Sequence, residues 1–169
     1  LHRQAVVIDK LSHGFDEGPL FENGSIILEA GARLAVIGEN GAGKTTLLRC
    51  LMGQIEANAG SIKWAESATL GYCPQNTTDE FDTELNLFDW MSQWRKPSHD
   101  DQIVRATLGR LLFSSDDFIK KAKVCSGGEK NRLLFGKLMM MDTNVLLLDE
   151  PNNHLDMESI DALNLALEH

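Results

Sequence analysis

The chain has 169 residues, of which 43% are hydrophobic and 24% are charged, a balance typical of one folded domain with its own core. Its formal net charge of −9 argues against nucleic-acid binding through bulk electrostatics, because such binding requires clustered Lys and Arg. Three widely spaced cysteines without a CxxC pair predict neither a disulfide framework nor a zinc site, and no apolar run reaches the roughly 18 residues of a membrane span, so we expect a reducing cytoplasm as the location.

The first third of the chain predicts a meander of antiparallel strands. Short apolar runs at residues 6–8 and 26–28 are bounded by glycines and a proline, which is the pattern of short strands joined by turns. Phe15 and Phe21 are expected to lie in those turns. Further short strands are predicted at 60–65 and 69–73.

A glycine-rich loop of the form G-x-x-x-x-G-K-[ST] lies between an apolar run and a helix-forming run. Glycines let backbone N–H groups surround phosphate oxygens at the positive end of the next helix. Lys44 is expected to reach the β- and γ-phosphates and Thr45 to hold Mg²⁺ through its hydroxyl. A tight turn that merely favours glycine is the alternative, but the flanking strand and helix are the context that a phosphate loop requires. The predicted nucleotide-binding residues are Gly38, Glu39, Asn40, Gly41, Ala42, Gly43, Lys44, Thr45 and Thr46.

The strand that leads into this loop is predicted at residues 33–37. Its apolar character predicts burial on both faces of a parallel sheet. Gly53 is expected to end the helix that follows the loop. Farther on, Pro74 ends the strand at 69–73 and presents Gln75 at the strand's exit.

Residues 86–118 differ from the preceding strands in their hydrophobic pattern: apolar side chains recur near helical spacing, with a break at Pro97. This pattern predicts a small helical subdomain. Trp90 and Trp94 are four residues apart, so they lie on one face of a helix. An aromatic ligand platform is one interpretation, but burial in the core is the commoner role of such a pair.

A long helix is predicted from the run that begins Cys125-Ser126-Gly127-Gly128-Glu129. Ser126 and Glu129 form an S-x-x-E capping box, which accounts for these residues as a helix N-terminus. The same geometry offers N–H groups and positive dipole to a phosphate.

Two adjacent carboxylates, Asp149 and Glu150, end an apolar strand predicted at 144–148. Ligands of open α/β sheets bind at the carboxyl ends of strands. Neighbours along a strand point to opposite sides, so the two acids can hold different roles: Asp149 supports Mg²⁺ through its water, and Glu150 orients and deprotonates the attacking water. The alternative is that the two carboxylates are solvated residues that merely end the strand. Asp156 is expected to cap a last amphipathic helix.

These motifs stand in the order found in ABC ATPases, and the chain resembles the nucleotide-binding domain of that family. The motifs are the Walker A loop at 38–45, the glutamine loop at Gln75, the signature at 125–130, the Walker B strand at 145–149 with Glu150, and the D-loop run Asn153-His154-Leu155-Asp156. Within the family, residues 148–160 resemble the ABC-F subfamily, whose typical run has Thr where Asn152 stands. The stretches 89–94 and 108–113 are similar to the second ATPase domain of a bacterial branch of that subfamily.

The resemblance implies an α/β fold of the P-loop NTPase, ABC ATPase type, with an antiparallel β subdomain at 1–32 and 60–72 and a helical subdomain at 76–141. Residues 33–59 and 142–169 would form the P-loop core. It also implies that residues 1–169 are a single, incomplete domain, because the strand and switch histidine that the family carries beyond this last helix are absent. His154 belongs to the D-loop run and does not replace that histidine.

The resemblance further implies two tandem domains in one polypeptide that close around two ATP molecules with Mg²⁺. Ser126, Gly127 and Gly128 would contact a γ-phosphate held by the other domain. Phe15 falls where the family stacks an aromatic ring on adenine, and Gln75 falls among the catalytic and Mg²⁺-binding residues. Cys125 stands where leucine is usual.

Three functions are compatible with these motifs. ABC-F resemblance implies ATP binding and hydrolysis by a protein without membrane insertion that acts on the ribosome, with its rRNA and tRNA, in translation. The same motifs serve the nucleotide-binding subunit of an ABC membrane transporter. A regulatory module that binds nucleotide without hydrolysing it is the third interpretation, against which the intact Glu150 argues.

Overall fold

The computed structural model describes residues 4–150 and 155–168. The chain divides after Leu70 into two compact units, and each unit has its own hydrophobic core. Residues 1–3, residues 151–154 and His169 lie outside the described residues, and with them the Asn153-His154 part of the D-loop run.

The first unit is built on an antiparallel sheet with the strand order β2-β1-β3, which confirms the predicted antiparallel strands. The predicted meander is wrong, because β3 pairs with β1 rather than with β2, its predecessor in the chain. The strands are longer than the apolar runs suggest, because β1 and β2 form a hairpin that continues to a two-residue turn. Phe15 is the last residue of β1, beside that turn. Phe21 pairs with His13 inside β2, so its placement in a turn was wrong. The strands are β1 (Gln4–Phe15), β2 (Gly18–Glu29) and β3 (Ala59–Trp64).

One helix, α1 (Lys44–Leu51), accompanies this sheet. Side chains of β1 and α1 share a core centred on Val6, Ile8 and Leu11. The indole Nε1 of Trp64 donates to the carbonyl oxygen of Leu51 over 2.9 Å and ties the sheet to the end of the helix. Gly53 follows with φ of 70°, a left-handed conformation that stops the helix as predicted.

The predicted buried strand at residues 33–37 is wrong in this structure. These residues pair with no other strand among those that the structure describes. Their apolar side chains are accordingly exposed, Ile37 by 93% and Leu34 by 53%. Burial of a strand on both faces depends on neighbouring strands and covering helices, and an apolar sequence by itself supplies neither.

The second unit contains a two-stranded sheet and four helices within its described residues. The predicted strands are confirmed at both positions, and α2, α3 and α4 occupy the region of the predicted helices. Short 3₁₀ turns link several of them. The elements are β4 (Leu70–Cys73), α2 (Leu87–Ser92), α3 (Asp101–Arg110), α4 (Gly127–Met141), β5 (Val145–Leu148) and α5 (Met157–Glu168).

The core of this unit is centred on α2 and α4. Trp90 is 1% exposed and stacks on Phe81 with ring centroids 4.8 Å apart, which confirms the core role predicted for it. Trp94 packs at the edge of the same core, 6.0 Å from Trp90 and with Lys137 Nζ 4.0 Å above its ring. Lys137 therefore covers the face of the Trp94 ring on which a ligand would stack.

Candidate functional site

The glycine-rich loop of the first unit takes its shape from two glycines with left-handed backbone. Gly41 has φ of 84° and Gly43 has φ of 96°, values that side-chain-bearing residues rarely adopt. Gly43 is the N-cap of α1, and its carbonyl accepts the N–H of Leu47 over 2.8 Å. The first turn of α1 contains no acidic residue. The positive end of α1 therefore faces the loop without a competing carboxylate from its own first turn.

Lys44 folds back over this loop. Its Nζ donates to the carbonyl oxygens of Gly38 at 2.6 Å and Glu39 at 3.1 Å. The loop is also closed by the N–H of Ala42, which donates to Glu39 O over 3.1 Å. Thr45 is exposed and Thr46 is half-buried at the start of the helix. The ammonium is thus placed beside the loop's backbone, where a phosphate would sit.

Phe15 lies at the end of the hairpin in the same unit and is 63% exposed. The imidazole of His13 packs edge-on to it, with ring centroids 5.1 Å apart. His13 is 7% exposed, and neither ring nitrogen has a hydrogen-bond partner among the described residues. No sequence pattern predicts this contact, because a single histidine two residues before an aromatic residue forms no motif.

In the second unit, Asp149 and Glu150 follow β5. The N–H of Asp149 donates to the carbonyl oxygen of Cys73 over 3.0 Å, so the carboxyl ends of β4 and β5 lie side by side. Asp149 is 3% exposed, and the hydroxyl of Tyr72 lies 3.4 Å from its Oδ2. Tyr72 was not among the predicted residues, since a tyrosine within a short strand predicts only burial.

Glu150 makes a different contact. Its backbone has φ of 49°, and its Oε2 accepts a hydrogen bond from Gln75 Nε2 over 2.9 Å. The two adjacent carboxylates therefore have separate partners, one buried at the strand end and one beside the glutamine that follows β4. With its nitrogen donated to Glu150, Gln75 presents its amide oxygen as the atom for an oxygen-seeking cation.

The buried thiol of Cys73 lies close to Asp149. Burial raises its pKa to about 11, with further contributions from the nearby charges of Asp149 and Glu80. A thiol with so high a pKa is protonated and unreactive near neutral pH. Cys73 is therefore a packing residue of this site.

The signature residues form the N-terminus of α4. Ser126 Oγ accepts the N–H of Glu129 over 3.2 Å, and Glu129 Oε2 accepts the N–H of Ser126 over 2.7 Å, which confirms the capping box. Lys120 Nζ bonds both carboxylate oxygens of Glu129, at 2.8 and 2.9 Å. Burial alone raises the pKa of Glu129, but the hydrogen bonds from Lys120 and Ser126 outweigh it and lower the pKa below its ordinary value.

The donor sets fit a nucleotide and Mg²⁺. Within the second unit, Asp149 and Gln75 offer hard oxygen atoms, and within the first unit Thr45 offers a hydroxyl. Mg²⁺ prefers few protein oxygens and keeps several waters. Among the described residues, no group of three or more His, Cys, Asp or Glu is arranged to hold a metal ion. The loop of the first unit contributes backbone N–H groups and Lys44 for phosphate.

In the part of the chain that the structure covers, none of the helices has the length and apolar character needed to cross a bilayer.

Comparison with known proteins assigns the family. Residues 21–153 match the family model described as ABC transporter. The chain is 55% identical to the "Probable ATP-binding protein YbiT" of Escherichia coli O157:H7 over 99% of its own length and 32% of that protein. It is 36% identical to "ABC transporter F family member 2" of Arabidopsis thaliana over 98% of the chain and 24% of that protein. The chain thus spans about a third of the length of the curated relatives it matches, or less.

The fold agrees with this assignment. The chain resembles the solved structure of a "Putative ABC transporter (ATP-binding protein)" from Pyrococcus furiosus with a TM-score of 0.79, over 96% of this chain and 84% of that one. Sequence identity to that structure is 21%, so the likeness bears on the fold alone. From the family model, the relatives and the fold together, the chain belongs to the ATP-binding cassette family and, within it, to the F subfamily.

Proposed function

We propose that this chain is one cassette of a two-cassette ATPase of the F subfamily, and that its ATP-bound form acts on the ribosome in translation. The observation that carries the catalytic part is the hydrogen bond between Gln75, after β4, and Glu150, after β5. Gln75 Nε2 lies 2.9 Å from Glu150 Oε2, and Glu150 is next to the buried Asp149. Residues 33–59 and 142–169 act as its P-loop core, residues 1–32 and 60–72 as its β subdomain, and residues 76–141 as its helical subdomain.

The first unit binds the nucleotide. Loop residues 38–46 surround the phosphates with N–H groups, and Lys44 exchanges its bonds to the Gly38 and Glu39 carbonyls for bonds to phosphate oxygens. Phe15, exposed at the tip of the hairpin, stacks on the base. Such stacking tolerates any base, so it adds affinity rather than selectivity.

The second unit supplies the groups for hydrolysis. Asp149 and Gln75 of this unit would hold Mg²⁺, which when bound would neutralise charge on the phosphates, and Thr45 of the first unit would offer its hydroxyl to the cation. Glu150 accepts a proton from the attacking water and orients it. The hydrogen bond from Gln75 fixes the direction of the Glu150 carboxylate before the water arrives.

The signature acts on the other cassette's nucleotide. Ser126 Oγ is an acceptor in the capping box, and its own O–H proton remains to be donated to a γ-phosphate. Gly127 adds its backbone N–H, and there is open space beside it, since no atom lies within 4 Å of a Cβ built at that position. The closed two-cassette form is thereby selected by ATP.

The ribosome is proposed as the partner because the chain belongs to the F subfamily. Its formal charge of −9 indicates that this cassette is not the part that binds RNA through bulk electrostatics. RNA contact is accordingly assigned to other parts of the two-cassette protein.

ATP-dependent sedimentation tests this function. The two-cassette protein carrying Glu150→Gln is expected to pellet with ribosomes in the presence of ATP and to remain in the supernatant with ADP. Equal pelleting with ribosomes in ATP and in ADP, or no pelleting in either, would refute the ribosomal role. Co-purification with a membrane-spanning protein would instead establish a transporter subunit.

A further inference from the structure

Ser159, in the first turn of α5, makes two hydrogen bonds at a fully buried position. Its side chain is 0% exposed, and its Oγ donates to the carbonyl oxygen of Gly128 over 3.1 Å. Its N–H donates to Asp156 Oδ1 over 2.8 Å. Ser159 therefore bonds both to the residue that caps α5 and to the second glycine of the signature.

Asp156 also approaches Gly128. A Cβ built on Gly128 would stand 2.2 Å from Asp156 Oδ2, so any side chain there displaces the carboxylate that caps α5. Gly127 is different, because a Cβ built there meets nothing within 4 Å. Only the second of the two signature glycines is thus held against α5.

A second tie lies one turn farther along α4. Arg132 is 7% exposed, and its guanidinium lies 3.1 Å from Glu158 Oε2, on the residue next to Ser159. The same guanidinium donates to Leu111 O over 2.9 Å and covers the ring of Phe113. The N-terminal ends of α4 and α5 are therefore joined at two successive points.

We propose that Ser159 is a positioning residue for the signature: it ties the backbone of Gly128 to the start of α5, so that the signature and the residue that ends the D-loop run are presented to the partner cassette as one body. This role rests on the proposed function, since it concerns how the signature meets the partner's nucleotide. Ser159 is fully buried, so its effect on the nucleotide passes through Gly128.

Amide hydrogen exchange on the chain itself tests the tie. The relevant amides at the start of α4 are those of Glu129 and Lys130. The Glu129 N–H donates to Ser126 Oγ and the Lys130 N–H donates to Ser126 O. Ser159→Ala is expected to speed their exchange about fivefold, the effect of one hydrogen bond of about 1 kcal/mol. Ser92→Ala is the matched control, because it also removes a hydroxyl that donates to a carbonyl, that of Phe88 in α2. Equal exchange in the two variants, or a uniform rise throughout the second unit, would overturn the proposal.

The glycines give an independent test of the same junction. Gly128→Ala is expected to lower the unfolding midpoint by several degrees more than Gly127→Ala, since only the former displaces the Asp156 carboxylate. Asp156→Ala should remove part of the difference by making room. Equal effects of the two alanines would contradict the tie.

Kinetics of the two-cassette protein test the positioning role. Ser159→Ala is expected to lower kcat about tenfold while the KM for ATP stays within twofold, and Ser159→Thr, which keeps a hydroxyl, should recover kcat. An unchanged kcat, or a loss that falls on KM alone, would refute positioning. Absence of turnover in the unaltered protein would refute the proposed ATPase, whereas the exchange experiment still decides whether Ser159 ties the two helices.

Discussion

Gln75 donates from Nε2 to Glu150 Oε2 over 2.9 Å, although the two residues are 75 positions apart in the chain. The contact joins the exit of β4 to the exit of β5 and gives the Glu150 carboxylate a fixed direction. Asp149, next to Glu150, is buried and faces Tyr72 instead. Two neighbouring acids with different partners are suited to separate roles in one reaction.

Replacing the base should separate binding from turnover. In the two-cassette protein, Glu150→Gln is expected to slow ATP hydrolysis about 10²–10⁴-fold, the usual contribution of a general base, without weakening ATP binding. Glu66→Gln is the control, because Glu66 is an exposed carboxylate in the turn after β3. Steady-state phosphate release and a binding titration measure the two effects. An unchanged hydrolysis rate would show that another group activates the water.

Removing the lysine ammonium should weaken nucleotide binding. Lys44→Ala deletes the cation that lies on the Gly38 and Glu39 carbonyls. ATP affinity is expected to fall about 10- to 100-fold, because hydrogen bonds to charged groups contribute about 1.5–3 kcal/mol. Fluorescence titration of the two-cassette protein measures it, with the exposed strand residue Lys63→Ala as the control. Retained affinity in Lys44→Ala would contradict the phosphate role of the loop.

Glu84 should make the stability of the chain sensitive to acid. Hydrogen bonds from Lys121 and Lys123 lower its pKa from 4.5 to about 2. A carboxyl with a lowered folded-state pKa stabilises the protein above its unfolded-state pKa, and this contribution is lost as the pH falls from about 4.5 to about 2. Glu84→Gln is therefore expected to be less stable than the unaltered chain at pH 7 and equal to it near pH 2.

Urea denaturation at several pH values tests this linkage. The difference in unfolding free energy between the chain and Glu84→Gln should shrink through that window, and added salt should reduce it at pH 7 because the pairs are exposed. A difference that stays constant with pH would mean that the two lysines do not bind the charged form.

Trp90 should be central to the stability of the second unit. The ring is 1% exposed, stacks on Phe81, and donates from Nε1 to Glu80 O over 3.1 Å. Trp90→Ala is expected to cost about 3–5 kcal/mol of unfolding free energy, and Trp90→Phe, which keeps an aromatic ring, about 1–2 kcal/mol. Chemical denaturation measures both. Similar losses for Ala and Phe would assign the effect to the lost hydrogen bond rather than to the ring.

The sequence predicts those features that depend on residues a few positions apart in the chain. The capping box of Ser126 and Glu129 and the Asp156 cap of α5 each join residues three positions apart, and the structure shows both. The buried strand at 33–37 was wrong because its burial depends on pairing partners elsewhere in the chain. The contact between Gln75 and Glu150 joins two predicted residues, but only the fold brings them within hydrogen-bond distance.

The contacts that the sequence did not predict have no short-range pattern at all. Ser159 reaches Gly128 across 31 positions, and His13 lies beneath Phe15 without a partner for either ring nitrogen among the described residues. Serine and histidine occur in too many environments for a lone example to indicate its contacts. Such residues are found only once helix packing and strand register are known.

The exposed run at residues 33–37 has a consequence for handling this chain in solution. Ile37 and Leu34 present apolar side chains on a segment that belongs to no described strand. Unpaired segments with exposed apolar side chains can add to other chains as strands, and charged or proline residues are the usual protection against this. The flanking Arg33 and Glu39 lie outside its apolar centre. At high protein concentration this segment is therefore the place where we expect intermolecular β-pairing to start, and light scattering should grow more slowly when Val36 is replaced by lysine.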